Sequence, residues 1–236
     1  VIMMAGKAFA VATLLPLTFA GHRATCRGDG GKIVAVDYYC YHNDTARTAK
    51  VARSLDNYSL TANLNYNLAI SKAGTMTEDF FKFLQLAGTD ALHPDAEFDP
   101  EKSFIAADFY YNLGYITEAR HWAYASLVDF PYSPRALRIL VKIHLITGEY
   151  NAARRCLIIL SKGLTNRKFV REFSPYLQDT SMIETCREIM EKRNFIPAEK
   201  ELTPFIDVRF RELLEANARN KFAYEHLVLY LSLIHI

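Results

Sequence analysis

Two stretches of this chain are built on the same plan. "NLGYITEARHWAYASL" (112–127) and "LITGEYNAARRCLIIL" (145–160) each carry a glycine, four residues, an alanine, and then apolar residues at helical spacing. Gly114 and Gly148 are 34 residues apart, and so are Ala119 and Ala153. A unit this short cannot bury a core alone. Stacked two-helix units can, because each covers the apolar face that its neighbour leaves bare. The glycine ends the first helix in a left-handed turn, and the alanine leaves room where the paired helices cross.

The rest of the chain agrees with this reading. Strand alternation is lacking and helical spacing is nearly continuous, which predicts helices near 32–42, 44–54, 58–73, 76–87, 103–113, 117–129, 134–147, 150–162, 166–175, 180–192, 203–217 and 220–230. Ser133-Pro134 and Thr203-Pro204 are helix starts, and Ser181 with Glu184 fits a capping box. Gly74, Gly114, Gly148 and Gly163 are stops. A 34-residue helix–turn–helix period resembles the tetratricopeptide repeat. The resemblance covers about 32–164, and "AGTMTED" (73–79) repeats the turn of "LGYITEA" (113–119). The expected fold is all-α, an α-solenoid of antiparallel, tetratricopeptide-like helix pairs preceded by an apolar N-terminal helix. A further helical region is expected over 165–230.

A second resemblance rests on "NLAISKAG" (67–74), "YYNLGYITEARHWA" (110–123), "IHLITGEYNAA" (143–153) and "NKFAYEHLVLYL" (220–231). These are similar to a family of uncharacterised multi-pass membrane proteins of Bacteroidota, which place such a helical region after several membrane helices. The resemblance implies a bacterial inner-membrane location and no particular activity.

The first 21 residues, "VIMMAGKAFAVATLLPLTFAG", are apolar apart from Lys7, Thr13 and Thr18. Residues 1–20 are read as a truncated transmembrane helix, since about 20 apolar residues span a bilayer. The alternative is a cleaved signal segment with Lys7 as its charged region, giving a secreted or periplasmic protein. Residues 22–31 read as a polar linker whose Arg23 and Arg27 lean toward the cytoplasmic side. Layouts of the resembled kind also occur with the repeats outside the cytoplasm, so the side stays open. The closing "LSLIHI" (231–236) matches a translated sequencing adapter and is expected to be a non-native tail.

Composition supports a packed core. Half the residues are hydrophobic, 23% are charged, and the net charge is +2. That balance does not call for a nucleic-acid partner, and none is expected. Four scattered cysteines, without a CxxC pair, read as reduced thiols.

Catalytic motifs are missing: no phosphate loop, no HExxH, no GxSxG. Catalytic residues, cofactors and metals are therefore not assigned. His121 and His144 read as packed or hydrogen-bonded side chains. The acidic loop 90–101 lacks the glycine a calcium loop needs and reads as solvated.

Charge is distributed unevenly. From Arg135 to Arg171 there are nine Lys or Arg and one acid, Glu149. Arg135, Arg138 and Lys142 share one helix face. In the resembled repeat those positions line the concave groove, where the preceding unit would present Phe104, Asp108, Tyr111 and Asn112. Such a groove suits a protein or peptide with acidic or carboxylate groups. The expected function is a membrane-anchored binding scaffold. The alternative is an accessory, substrate-positioning region of a membrane enzyme, for example a saccharide transferase, whose catalytic part lies outside this fragment. Reversing Arg135 and Arg138 to glutamate is expected to abolish capture with helicity intact. Gly148→Val is expected to damage folding at both the turn and the close crossing.

Overall fold

The computed structural model describes residues 28–94, 102–196 and 205–234. Among them the chain is all-α, without strands. It runs α1 (Asp29–Tyr41), α2 (Thr45–Ala52), α3 (Leu60–Ala73), α4 (Met76–Asp79), α5 (Ser103–Leu113), α6 (Ile116–Asp129), α7 (Pro134–Thr147), α8 (Tyr150–Ser161), α9 (Arg167–Gln178), α10 (Arg187–Arg193), α11 (Ile206–Ala216) and α12 (Lys221–Ile234). Helices pack chiefly on their chain neighbours, as α1 on α2, α5 on α6, α7 on α8 and α11 on α12.

Local chemistry sets the ends. The Asp44 side chain accepts from Arg47 N–H to open α2, and Ser59 Oγ accepts from Ala62 N–H to open α3. Gly74, Gly114 and Gly148 close α3, α5 and α7 at φ of 73°, 95° and 80°. After each glycine a backbone N–H turns back to the helix: Thr75 to Ile70 O, Tyr115 to Tyr110 O, Glu149 to His144 O.

The 34-residue period becomes packing in α5–α8. Ala119, Ala123 and Ser126, spaced four and three apart, are fully buried along α6, and Ala153 is fully buried on α8. Small side chains let the helices of each pair approach. α7 runs through the middle, with Leu140, Val141, Ile143 and Leu145 fully buried. A helix apolar on most of its circumference belongs in the interior. Each such side chain contributes about 1.5–3 kcal/mol. A smaller second core gathers Val36, Tyr66, Ile70, Met76, Phe80, Leu92 and Leu229.

The C-terminal segment returns to the earlier helices. Helix ends leave carbonyls without intrahelical partners. Here Lys192 Nζ donates to Asn112 O (2.5 Å), Asn220 Nδ2 to Leu113 O (2.8 Å) and Lys221 Nζ to Gly74 O (2.9 Å). Arg193 donates to Leu145 O (2.8 Å) and Ile146 O (3.1 Å). The C-terminal ends of α3, α5 and α7 thus each receive a cation, which also suits the helix dipole.

Several expectations are corrected. The span 76–87 is not one helix. It is α4, a 3-10 turn at Phe80–Lys82, and extended backbone at Phe83. Gln85 pulls this segment inward, bonding Asn63, Asn67 and Phe80 O. The span 180–192 breaks at Cys186 into a 3-10 turn and α10. Ser181 is not an N-cap, because its own N–H and hydroxyl bond Asp179. Helix α1 already begins at Asp29, inside the expected linker. Helix α12 runs on to Ile234, and Leu233 packs against the second core. The apolar N-terminal helix and the Thr203-Pro204 start lie outside the described residues, as does most of the acidic loop.

Candidate functional site

Of the seven residues expected to line a groove, Arg135 meets Phe104 and Asp108 and Lys142 meets Tyr111 between α5 and α7, whereas Arg138 reaches Tyr41, Asn166 and Phe169 and Asn112 bonds its own helix. Other parts of the chain meet them there. Arg135 Nη1 donates to both carboxylate oxygens of Asp37 on α1 (2.9 and 2.8 Å), and Nε donates to Asp108 (2.5 Å). Its Nη2 lies within ion-pair distance of Asp108 without the angle of a hydrogen bond. The guanidinium is also sandwiched between the rings of Tyr41 (4.7 Å) and Phe104 (4.6 Å). Side-chain exposure is 14% for Arg135 and 13% for Asp108, so this is an interior clamp.

Burial alone would lower the Arg135 pKa, but Asp108 and Asp37 outweigh it and hold it above its ordinary value. Asp37 is raised all the same: its burial outweighs the pull of an arginine shared with a second carboxylate. Cys40 lies in the same field, and burial pushes its thiol up to about 12, so it is an inert core group. The expectation that reversal at Arg135 spares helicity is therefore withdrawn, since it would set three carboxylates together in the interior.

The other end of the seam is built around Tyr111. Its hydroxyl donates to Glu188 on α10 (2.8 Å), and Lys142 Nζ donates to the same oxygen (2.8 Å). Lys142 and Lys192 both lie over the Tyr111 ring, at 5.5 and 5.6 Å. Burial would raise the Glu188 pKa, but Lys142, Tyr111 and Lys192 together outweigh it and the net shift is downward. Burial pushes the Lys192 ammonium down to about 8. Asn112 donates to Asp108 O (2.7 Å), which tethers it along α5.

Between these ends, Arg138 bonds neutral groups: Tyr41 Oη (3.2 Å), Asn166 Oδ1 (2.6 Å) and Thr165 O (3.4 Å). Its Nε is buried without a partner. Lys72 Nζ donates to Cys40 O (3.1 Å). Among the described residues neither cation has a carboxylate within salt-bridge distance. The seam holds five cations (Lys72, Arg135, Arg138, Lys142, Lys192) against four carboxylates: Asp37, Asp108, Glu188 and Glu191, whose charge acts on Lys192. Beside it opens a cavity of about 510 Å³ lined by Asn43, Thr45, Ser71, Lys72, Asn112 and Phe222. The Ser71 hydroxyl is buried without a hydrogen-bond partner.

Sequence reasoning missed Asp37, Tyr41, Lys72, Glu188 and Lys192. Asp37 lies 98 residues from Arg135 and Glu188 lies 77 from Tyr111, so nothing local marks them as partners. His144 behaves as expected, bonded to Tyr124 Oη (3.1 Å) and Glu149 (2.6 Å), whereas His121 is exposed, its ring edge-on to Trp122. Cys40, Cys156 and Cys186 are free thiols. No group of metal-ligating residues occurs among the described residues. No helix among them is long and apolar enough to cross a membrane, and residues 1–20 are not part of that set.

Among the described residues, helices packed in neighbouring pairs define a helical, repeat-like protein. The chain belongs to a family of unknown function, DUF6057, whose model matches residues 2–233. Comparison with curated proteins and with solved structures gives no match.

Proposed function

We propose that this protein is a membrane-anchored, tetratricopeptide-like scaffold that holds a protein or peptide partner by its acidic or carboxylate groups. The observation that carries the reading is the excess of cations along the α5–α7 seam. Arg138 and Lys72 have their side chains positioned by neutral oxygens and keep their charge uncompensated. The cavity at Lys72 adds an amide and an unpartnered hydroxyl, the set a carboxylate accepts from. Arg135 and Lys142, placed in the groove by sequence, support it from within, neutralised by Asp37, Asp108 and Glu188. The apolar residues 1–20 support the anchor.

The test is fluorescence anisotropy of a labelled oligoglutamate peptide with the full chain in detergent micelles. Combining Arg138→Glu with Lys72→Glu should weaken binding by at least about tenfold, near 1.4 kcal/mol. The exposed Lys168→Glu should change it little. Equal affinity in all three proteins, or no binding at low salt, would remove this reading.

A further inference from the structure

The short segment after α4 displays apolar side chains on a rigid backbone. Phe80 is fully buried and Phe83 stacks on Tyr66 at 4.9 Å. Gln85 donates to Asn67 Oδ1 and Phe80 O and accepts from Asn63 and Asn67, which fixes the segment to α3. The residues between point the other way: Phe81 is 64% exposed, Leu84 67% and Leu86 67%. Three large apolar side chains are thus exposed within six residues of a segment that the Gln85 side chain fixes to α3, and they are not scattered surface residues.

The chain's entry point lies beside them. Asp29, at the start of α1, accepts from Asp56 N–H (3.0 Å) and Asn57 N–H (2.9 Å), and Lys32 donates to Ser54 O and Asp56. Asp56, Asn57, Tyr58 and Leu84 line one cavity of about 240 Å³. The 54–57 loop therefore joins the start of α1 to the exposed segment. Only residues 21–28 separate the apolar stretch 1–20 from Asp29, a reach of at most roughly 30 Å.

We propose that Phe81, Leu84 and Leu86 form a bilayer-contact surface, seated at the headgroup–acyl boundary of the membrane that residues 1–20 enter. This rests on the anchored reading above. Where the apolar stretch ends selects the occupant: chain length alone keeps Asp29, beside this surface, within roughly 30 Å of that stretch. Apolar side chains displayed at such a place partition into the interface, while the Lys82 ammonium beside them is held by Asp79 (2.6 Å).

The experiment places the full chain in vesicles of phosphatidylethanolamine and phosphatidylglycerol carrying lipids brominated high on the acyl chain. Trp122, the single tryptophan, is replaced by phenylalanine, and one tryptophan is returned as Leu84→Trp or as Val128→Trp. Val128 is 80% exposed on α6, in the next hairpin. Leu84→Trp emission should fall by about half, with Val128→Trp unchanged. A chain that floats with the vesicles while Leu84→Trp stays unquenched keeps the anchor and overturns the contact surface. Blue-shifted, unquenched emission that persists in detergent assigns the cover to protein, either a second copy or residues 1–20, and overturns it too. A chain that does not float with the vesicles overturns the anchored reading and this surface together.

Discussion

Gly114 and Gly148 hold equivalent places in two hairpins of equal period, yet their surroundings differ. A Cβ at Gly114 would come within 2.9 Å of the Phe195 ring, whereas at Gly148 it would meet nothing within 4 Å. Both backbones are left-handed, at φ of 95° and 80°. The first hairpin's turn is covered by the returning C-terminal segment, and the second one's faces open space. Repetition fixes the shape of a hairpin, and what later folds onto it decides how much a position tolerates. The expectation that Gly148→Val would damage a close crossing is accordingly corrected: the crossing is at Ala119 and Ala153, and only the turn geometry is at stake at Gly148.

The largest expected effect is at the clamp that joins the two hairpins. Arg135→Ala leaves Asp37 and Asp108 buried without their cation and should cost about 3–5 kcal/mol in urea unfolding. Gly114→Ala should follow, at roughly 2–4 kcal/mol, because left-handed strain adds to displacement of Phe195. A smaller effect appears at Lys192, on the returning segment. Its folded pKa of about 8 lies below the ordinary lysine value, so the folded state binds fewer protons than the unfolded state. Stability should then rise as pH climbs from about 8 toward 10.5, by up to about 3 kcal/mol, and Lys192→Met should flatten that rise. Gly148→Ala should be the mildest, at about 1–2 kcal/mol from the backbone alone. Equal costs at the two glycines would break the comparison. A pronounced gap that closes when Phe195 is also replaced by alanine would sharpen it.

Local signals in the sequence were enough for the helices of the central hairpins. Glycine stops, Pro134 at a first helical position and buried alanines at the crossings are written within a few residues of where they act. Breaks set by distant partners were not legible. The segment after α4 leaves the helix because Gln85 finds amides on α3, and helical spacing alone does not reveal that. The site was half legible for the same reason. Helix-face spacing was enough to set Arg135 against Phe104 and Asp108 and Lys142 against Tyr111, but not to place Arg138, which turns to Tyr41 and Asn166. It could not show that Asp37 and Glu188 would neutralise two of the cations, since those acids lie on helices remote in sequence. A charge count along the chain therefore overstated what the groove offers a partner and understated what holds the fold.

We propose that an acidic partner docks at the uncompensated part of the seam, at Arg138 and Lys72. The most direct measurement is a nuclear magnetic resonance titration of the full chain in micelles with an oligoglutamate peptide. The account predicts shifts concentrated at the Arg138 guanidinium, Lys72 and the Asn112 amide, with the outer helices α6 and α8 unmoved. Shifts confined to exposed cations such as Arg155, Lys168 and Arg171, with Arg138 and Lys72 silent, would contradict it.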